Sequence, residues 1–470
     1  MLAAMEQLDV IVVGAGISGI DAGYHLQTSC SGMTYAILEA RDAIGGTWDL
    51  FRYPGIRSDS DMLTLGFPFR PWASDKLIAD GPAILEYVRE TAAHYGIDQK
   101  IRFGHKVVAA HWSSERARWR IDVEGKGSLE CRFLFMCSGY YDYDRGYTPE
   151  LAGAERFRGR IVHPQQWTPD IDYAGKRVVV IGSGATAVTL VPELAKQAAH
   201  VTMLQRSPTY IVSVPAIDPL AKYMPRGAAR WKNVLFGMGF YQFCRRFPRQ
   251  AKRWILEQVA KQLPDGYDLS HFTPSYNPWD QRLCLVPDAD LFKSVREGKA
   301  SVVTDHIETF TERGIQLRSG AELPADLVVT ATGLRLKFLA GMKVDIDGAP
   351  IDPPSLLVYK GMMLSGVPNL AFAVGYTNAS WTLKCDLTSR YVCRLLNHMK
   401  AKGLTTCTAM RDPSVEELPL IDFSSGYVTR ALHQLPRQGA TVPWRLYQNY
   451  ALDLATLRHG RIDDRAMQFS

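Results

Sequence analysis

Two short apolar runs, each ending in glycines, set the pattern of this chain. Apart from Asp9, Lys176 and Arg177 at their starts, residues 9–13 and 176–181 are wholly apolar and β-branched, as in strands buried on both faces of a parallel sheet. Each run leads through a glycine-rich turn into helical spacing, reaching about Gln27 in the first case and about Lys196 in the second. Further apolar strands follow at 35–38 and 201–204. Ile84, Leu85, Val88 and Ala92 predict an amphipathic helix within 81–95, and strands are predicted at 106–110, 119–123 and 133–136. The last of these runs into the small residues Cys137, Ser138 and Gly139, which let backbone approach a bound group. Later strands at 326–332 and 369–375, and helical spacing from Leu387 to Met399, complete the pattern.

This repetition predicts an α/β protein with two Rossmann-like dinucleotide-binding domains and a helical insertion in the second. The first domain takes residues 1–145 and is rejoined by 341–470; the second takes 146–340, with the insertion at about 212–275.

In the first turn Gly14 bends the chain, Gly16 admits a pyrophosphate to the backbone, and Gly19 lets the helix pack on the strand. Glu39 stands twenty residues past Gly19, where a carboxylate accepts ribose hydroxyls and repels a 2′-phosphate. This site selects FAD or NAD. The second turn carries Gly182, Gly184, Thr186 and the small Ala187, and its next strand ends in Gln205, Arg206 and Ser207. A cation and a hydroxyl in place of a carboxylate suit the 2′-phosphate of NADPH. Two unlike sites on one chain predict hydride transfer from NADPH to FAD. Between them, residues 45–59 form an irregular loop in which Gly46, Thr47, Trp48, Tyr53 and Asp59 are candidates to line a flavin; the plainer reading is a surface turn capped by Asp59.

Composition narrows the chemistry. The eight cysteines form no C-x-x-C pair and no metal-ligand spacing, so they read as reduced packing thiols, and no metal site is expected. Without a redox-active pair the chain is not a disulfide reductase, which leaves oxygen as the electron acceptor. With the first strand beginning near Asp9 and no apolar run of about eighteen residues, a soluble, cytoplasmic protein is expected.

The net charge of +6 is unevenly placed. Ten Lys/Arg against Glu257 alone put +9 on residues 222–261, leaving −3 elsewhere. The aromatic-rich stretch 231–247 inside this arm reads as a helical insertion over the active-site cleft with a solvated basic face. Weak peripheral membrane contact through 222–261 is the competing reading. No nucleic-acid recognition motif accompanies the charge. In the run 276–287, Arg282 stands alone among bulky residues. A cation there suits a developing negative charge over a flavin, and an ion pair with Asp280 or Asp288 is the structural alternative. Trp381 fits either a substrate pocket or the core.

Phe157, Gly159, His163 and Trp167, spaced as F-x-G-x-x-x-H-x-x-x-W between the two glycine turns, resemble the fingerprint of the class B flavoprotein monooxygenases. Gly45, Gly46 and Trp48, with Tyr53, Pro54, Gly55 and Asp59, resemble the type I Baeyer–Villiger branch, and the likeness extends over essentially the whole chain. The resemblance implies FAD in the first domain and NADPH in the second. It further implies that reduced flavin takes up O₂ at C4a, and that the peroxyflavin attacks a ketone to give an ester or lactone, or S-oxygenates a sulfide or thioamide. By the same resemblance Arg282 stabilises that intermediate, Asp59 orients Arg282, and His163 acts in domain coupling rather than as a base. Three positions depart from the pattern: Thr168 after the fingerprint tryptophan, Gln281 where many relatives carry lysine, and Tyr376 where reductases carry a flavin-binding aspartate. The alternatives are a heteroatom oxygenase with little ketone activity and a membrane-surface redox sensor that binds both cofactors without turnover.

Overall fold

The computed structural model describes residues 5–220, 223–421, 423 and 425–470; Lys222, at the head of the basic arm, lies outside them. Strand β1 (Gln7–Val13) runs through the middle of the first sheet, with β2 (Tyr35–Leu38) and β3 (Ile101–Arg102) on one side. On its other side come β4 (Val107–Ser113), β5 (Arg118–Val123) and β6 (Gly127–Met136). The second sheet is wholly parallel and gathers β7 (Arg160–Val162), β8 (Arg177–Ile181), β9 (His200–Gln205), β10 (Ala300–Thr304) and β11 (Leu327–Thr330) in the order β10-β9-β8-β11-β7. The chain then returns to the first sheet with β12 (Lys343–Ile346), β13 (Ala349–Pro350) and β14 (Leu370–Phe372). The nine-stranded order is β13-β12-β4-β5-β6-β1-β2-β3, with β14 paired to the end of β6.

Burial explains why these runs become strands. Val10, Ile11 and Val12 expose nothing, and Val178, Val179 and Val180 are equally enclosed. Each such side chain contributes roughly 1.5–3 kcal/mol when removed from water. Helix α1 (Ile17–Ser29) follows β1, and α2 (Ala185–Leu194) follows β8. The long helix α5 (Trp381–Lys402) packs on α1, where His25 and Asp386 meet at 2.8 Å with both side chains buried. Beside them burial pushes the Asp21 carboxyl up to about 7.

The chain crosses between the sheets twice, and the two crossings pair with each other. Lys337 N–H donates to Tyr140 at 2.8 Å, Asp142 N–H to Arg335 at 2.9 Å, and Tyr147 N–H to Gly333 at 3.1 Å. The link between the two lobes is therefore a short antiparallel ribbon.

The insertion contains α3 (Arg226–Arg246) and α4 (Pro248–Ala260). Arg230 anchors α3 by donating to the carbonyls of Leu63 and Gly66, each at 2.7 Å, while Asn233 donates to Asp61. Val234 packs with Tyr376 and Leu383. Beside the exposed Arg245, Arg246 and Arg249, the outer face also presents Trp231, Leu235, Phe236 and Phe243 to water. Among the described residues no helix is long and apolar enough to cross a membrane.

Candidate active site

Both glycine turns open on one cavity of about 1110 Å³. That exceeds the roughly 300–1,000 Å³ of a site for one small ligand. Gly14, Gly16, Glu39, Gly46, Thr47, Trp48 and Asp59 line it from the first lobe; Gly182, Gly184, Thr186, Arg206, Ser207 and Arg282 line it from the second. Gly19 and Ala187 do not reach it and serve packing instead.

The first turn is shaped by contact. Gly14 has φ +104°, and a Cβ there would lie 2.7 Å from the Cys137 carbonyl oxygen. At the end of β2 the Glu39 carboxylate accepts from the amides of Ala15 at 2.7 Å and Arg41 at 2.9 Å. Burial pushes its carboxyl up, against the pull of those amides and of the Arg41 charge. Each carboxylate oxygen keeps a lone pair for a ribose hydroxyl. Thr47 lies 3.2 Å from the Tyr143 hydroxyl, closing the loop over the turn.

The second turn is more open. Gly182 has φ +135° and packs against Ala331, but nothing stands within 4 Å of a Cβ on Gly184. Arg206 and Ser207 are exposed at the rim. Thr186, in the first turn of α2, hydrogen-bonds the phenol of Tyr53, which burial pushes up to about 12.

Arg282 and Asp59 meet where the two halves face each other, with Nη2 at 3.0 and 3.2 Å from the two carboxylate oxygens. Asp59 thus caps no turn; Asp61 caps the adjacent one by accepting from Thr64. Neither sequence neighbour serves Arg282: Asp280 pairs with Arg245 at 3.0 Å and Asp288 accepts from the Ala216 amide. An ion pair this open contributes on the order of 1 kcal/mol to stability, so its position over the cavity explains it better than folding does. The Asp59 charge, outweighing burial, holds the Arg282 guanidinium protonated. Tyr140, Tyr141 and Tyr427 surround it as neutral phenols, each pushed up chiefly by burial.

Sequence reasoning missed these phenols and Arg430, which stacks 3.5 Å over Tyr147 beside the cavity. Tyr140 and Tyr141 directly follow Ser138 and Gly139, so their place after the strand was a usable signal; Tyr427 and Arg430 belong to no motif. Trp381 lines the cavity with its ring 5.1 Å from Tyr140 and donates to Ser18 at 2.8 Å. Gln281 also lines it.

The fingerprint residues lie off the cavity. His163 bonds the Gly333 carbonyl at 3.1 Å through Nε2 and accepts from the Gln165 amide through Nδ1. A Cβ on Gly146 would sit 2.0 Å from its ring, so His163 touches both strands of the connecting ribbon. Burial depresses the imidazole below its ordinary 6.5 and keeps it neutral. Phe157 packs on Phe310, Gly159 lies under Asp326, and Trp167 is buried in the second lobe against Tyr173. The structure does not bring these three to the ribbon.

A carboxylate-ended nucleotide turn and an arginine-ended one, opening on a shared cavity, define a two-dinucleotide flavoprotein oxidoreductase. The family described as Flavin-binding monooxygenase-like matches residues 67–400, and an NAD(P)-binding Rossmann-like domain matches 12–75. The chain belongs to the flavin-binding monooxygenase family. It is 57% identical to the FAD-containing monooxygenase EthA of Mycobacterium tuberculosis, over 99% of this chain and 98% of that one. Identity to EthA of Mycolicibacterium smegmatis is 52%, with 99% and 97% covered. A solved steroid monooxygenase bound to NADP superposes with a TM-score of 0.79 at 22% identity, covering 98% and 99% of the two chains, which supports the fold.

Proposed function

We propose that this chain is an FAD- and NADPH-dependent Baeyer–Villiger monooxygenase that inserts one oxygen atom of O₂ into ketones to give esters or lactones. It also oxygenates the sulfur of sulfides or thioamides. The observation that carries this reading is the Arg282–Asp59 pair facing the cavity between the two turns. The overall balance is ketone, O₂, NADPH and a proton giving ester, water and NADP⁺.

The residues fit both cofactors. The Gly14–Gly16 turn, with no side chain in the way, receives the pyrophosphate of FAD, and Glu39 accepts from its ribose. Gly182, Gly184 and Thr186 play the corresponding part for NADPH, with Arg206 and Ser207 on the 2′-phosphate. Together the cofactors supply a hydride, its acceptor and activation of O₂. Arg282 keeps a fixed positive charge over the cavity, and Asp59 sets its direction. The surrounding phenols and Trp381 line the cavity around that charge, and the phenols remain neutral. Neutral His163 donates to the ribbon and moves no proton in the reaction.

The test is product identity. Purified FAD-loaded protein given NADPH and matched ketone and sulfide panels should yield esters or lactones as well as sulfoxides. Sulfoxide without any ester would replace the ketone assignment by a heteroatom oxygenase.

A further inference from the structure

Helix α3 is apolar on two opposite sides. Its inner side buries Ala229, Val234 and Cys244. Its outer side exposes Trp231 by 45%, Leu235 by 62%, Phe236 by 73% and Phe243 by 37%. Trp231 and Leu235 stand four positions apart and Phe236 and Phe243 seven, so the four cover a broad face of roughly 140°. Among the described residues, nine of the fifteen exposed large apolar side chains fall between Ile217 and Trp254, so the patch is concentrated rather than scattered. A contiguous patch of this kind marks a surface that something covers.

Charge indicates what covers it. Residues 222–261 hold ten Lys/Arg and only Glu257. Some of these cations are engaged: Arg226 pairs with Asp75, Lys232 with Asp218, and Arg245 with Asp280. Arg246 and Arg249, both exposed where α3 gives way to α4, have no ion-pair partner among the described residues. A second copy of the chain would bring the same excess of positive charge against itself. Nucleic acid would stack on the rings but has no use for exposed Leu235, Leu220 and Ile217. Aromatic and aliphatic side chains rimmed by free arginines fit the boundary between anionic headgroups and acyl chains.

We propose that the outer face of α3 docks this protein on anionic phospholipid surfaces, with the helix lying flat among the headgroups. Leu235 and Phe236 enter the acyl boundary, and Arg246 and Arg249 meet lipid phosphates. The inner face of the same helix packs on Tyr376, which lines the active-site cavity. Docking therefore sets the cavity about one helix diameter, roughly 10 Å, from the lipid.

The test is sedimentation of the FAD-loaded enzyme with phosphatidylcholine vesicles, with and without phosphatidylglycerol. Binding should be at least about tenfold stronger with the anionic lipid and should collapse in high salt. The double variant Leu235→Ser/Phe236→Ser should lose about tenfold or more of that binding at unchanged flavin content and melting temperature. Arg246→Gln/Arg249→Gln should bind the two vesicle types nearly alike. Wild-type protein that ignores anionic vesicles, or serine variants that bind like wild type, would overturn the proposal. So would concentration-dependent dimerisation that the serine variants abolish, in the absence of vesicle binding.

Discussion

A Cβ placed on Gly19 would lie 1.8 Å from the carbonyl oxygen of Gly14, whereas the matching position of the second turn already carries one, in Ala187. The same contrast runs through both sites. Glu39 is 6% exposed and tied to two backbone amides; its counterpart Arg206 stands open at the rim. Gly46 folds back onto Gly16 and is covered by Tyr143, but no atom approaches Gly184. Under the proposed function the closed turn takes FAD, which stays bound, and the open turn takes NADPH, which arrives and leaves in each cycle. On that assignment, closure separates the roles of two turns that share the G-x-G-x-x-small pattern.

The comparison breaks most visibly at Gly19. Gly19→Ala pushes a carbon into backbone that has no rotamer to yield, so the chain should be recovered without flavin or insoluble, whereas Ala187→Gly should keep one FAD per chain. Flavin absorbance per protein reads the difference, and full flavin in Gly19→Ala would refute the closed turn. Next comes the seam. Arg282→Ala should lower oxygenated product about 10²–10³-fold, the usual loss when one preorganised donor is removed, while NADPH still bleaches the flavin. Normal product formation would remove Arg282 from the chemistry. Arg206→Ala should touch only the open site: losing one charged hydrogen bond of about 1.5–3 kcal/mol raises KM for NADPH roughly 10–100-fold, with KM for NADH and flavin content unchanged. An equal rise for NADH would mean that Arg206 does not read the 2′-phosphate.

The smallest effect concerns the ribbon. Burial lowers the folded-state value of His163 below the ordinary 6.5, so its contribution to stability is complete above 6.5 and is lost as pH falls through the lowered value. Melting temperature should therefore drop further on acidification in wild type than in His163→Asn. Parallel curves would show that the imidazole is not a neutral donor to Gly333.

Most of the fold was legible because its signals are local. A β-branched run, a glycine turn and a helical period sit within thirty residues of one another, twice. The Arg282–Asp59 contact spans 223 positions, and the nearer carboxylates Asp280 and Asp288 pointed the wrong way along the chain. Family resemblance supplied that pair; periodicity could not. The phenol of Tyr427 comes to Arg282 only through the fold, from a segment with no pattern. The outer face of α3 was hidden for the opposite reason: apolar residues on both sides of one helix blur the period that normally tells inside from outside.

The paired crossings at Tyr140–Lys337 and Asp142–Arg335 have a consequence for engineering. Because the second lobe leaves and re-enters the first through neighbouring backbone, it behaves as a cartridge in a two-pin socket. Its ends already lie side by side, so a nicotinamide-binding lobe from a relative can be exchanged at those two points without rethreading the flavin-side sheet. The socket is not the whole attachment: Arg230, Asn233 and Arg282 also bond the first lobe, so a transplanted lobe must reproduce those contacts to keep its orientation.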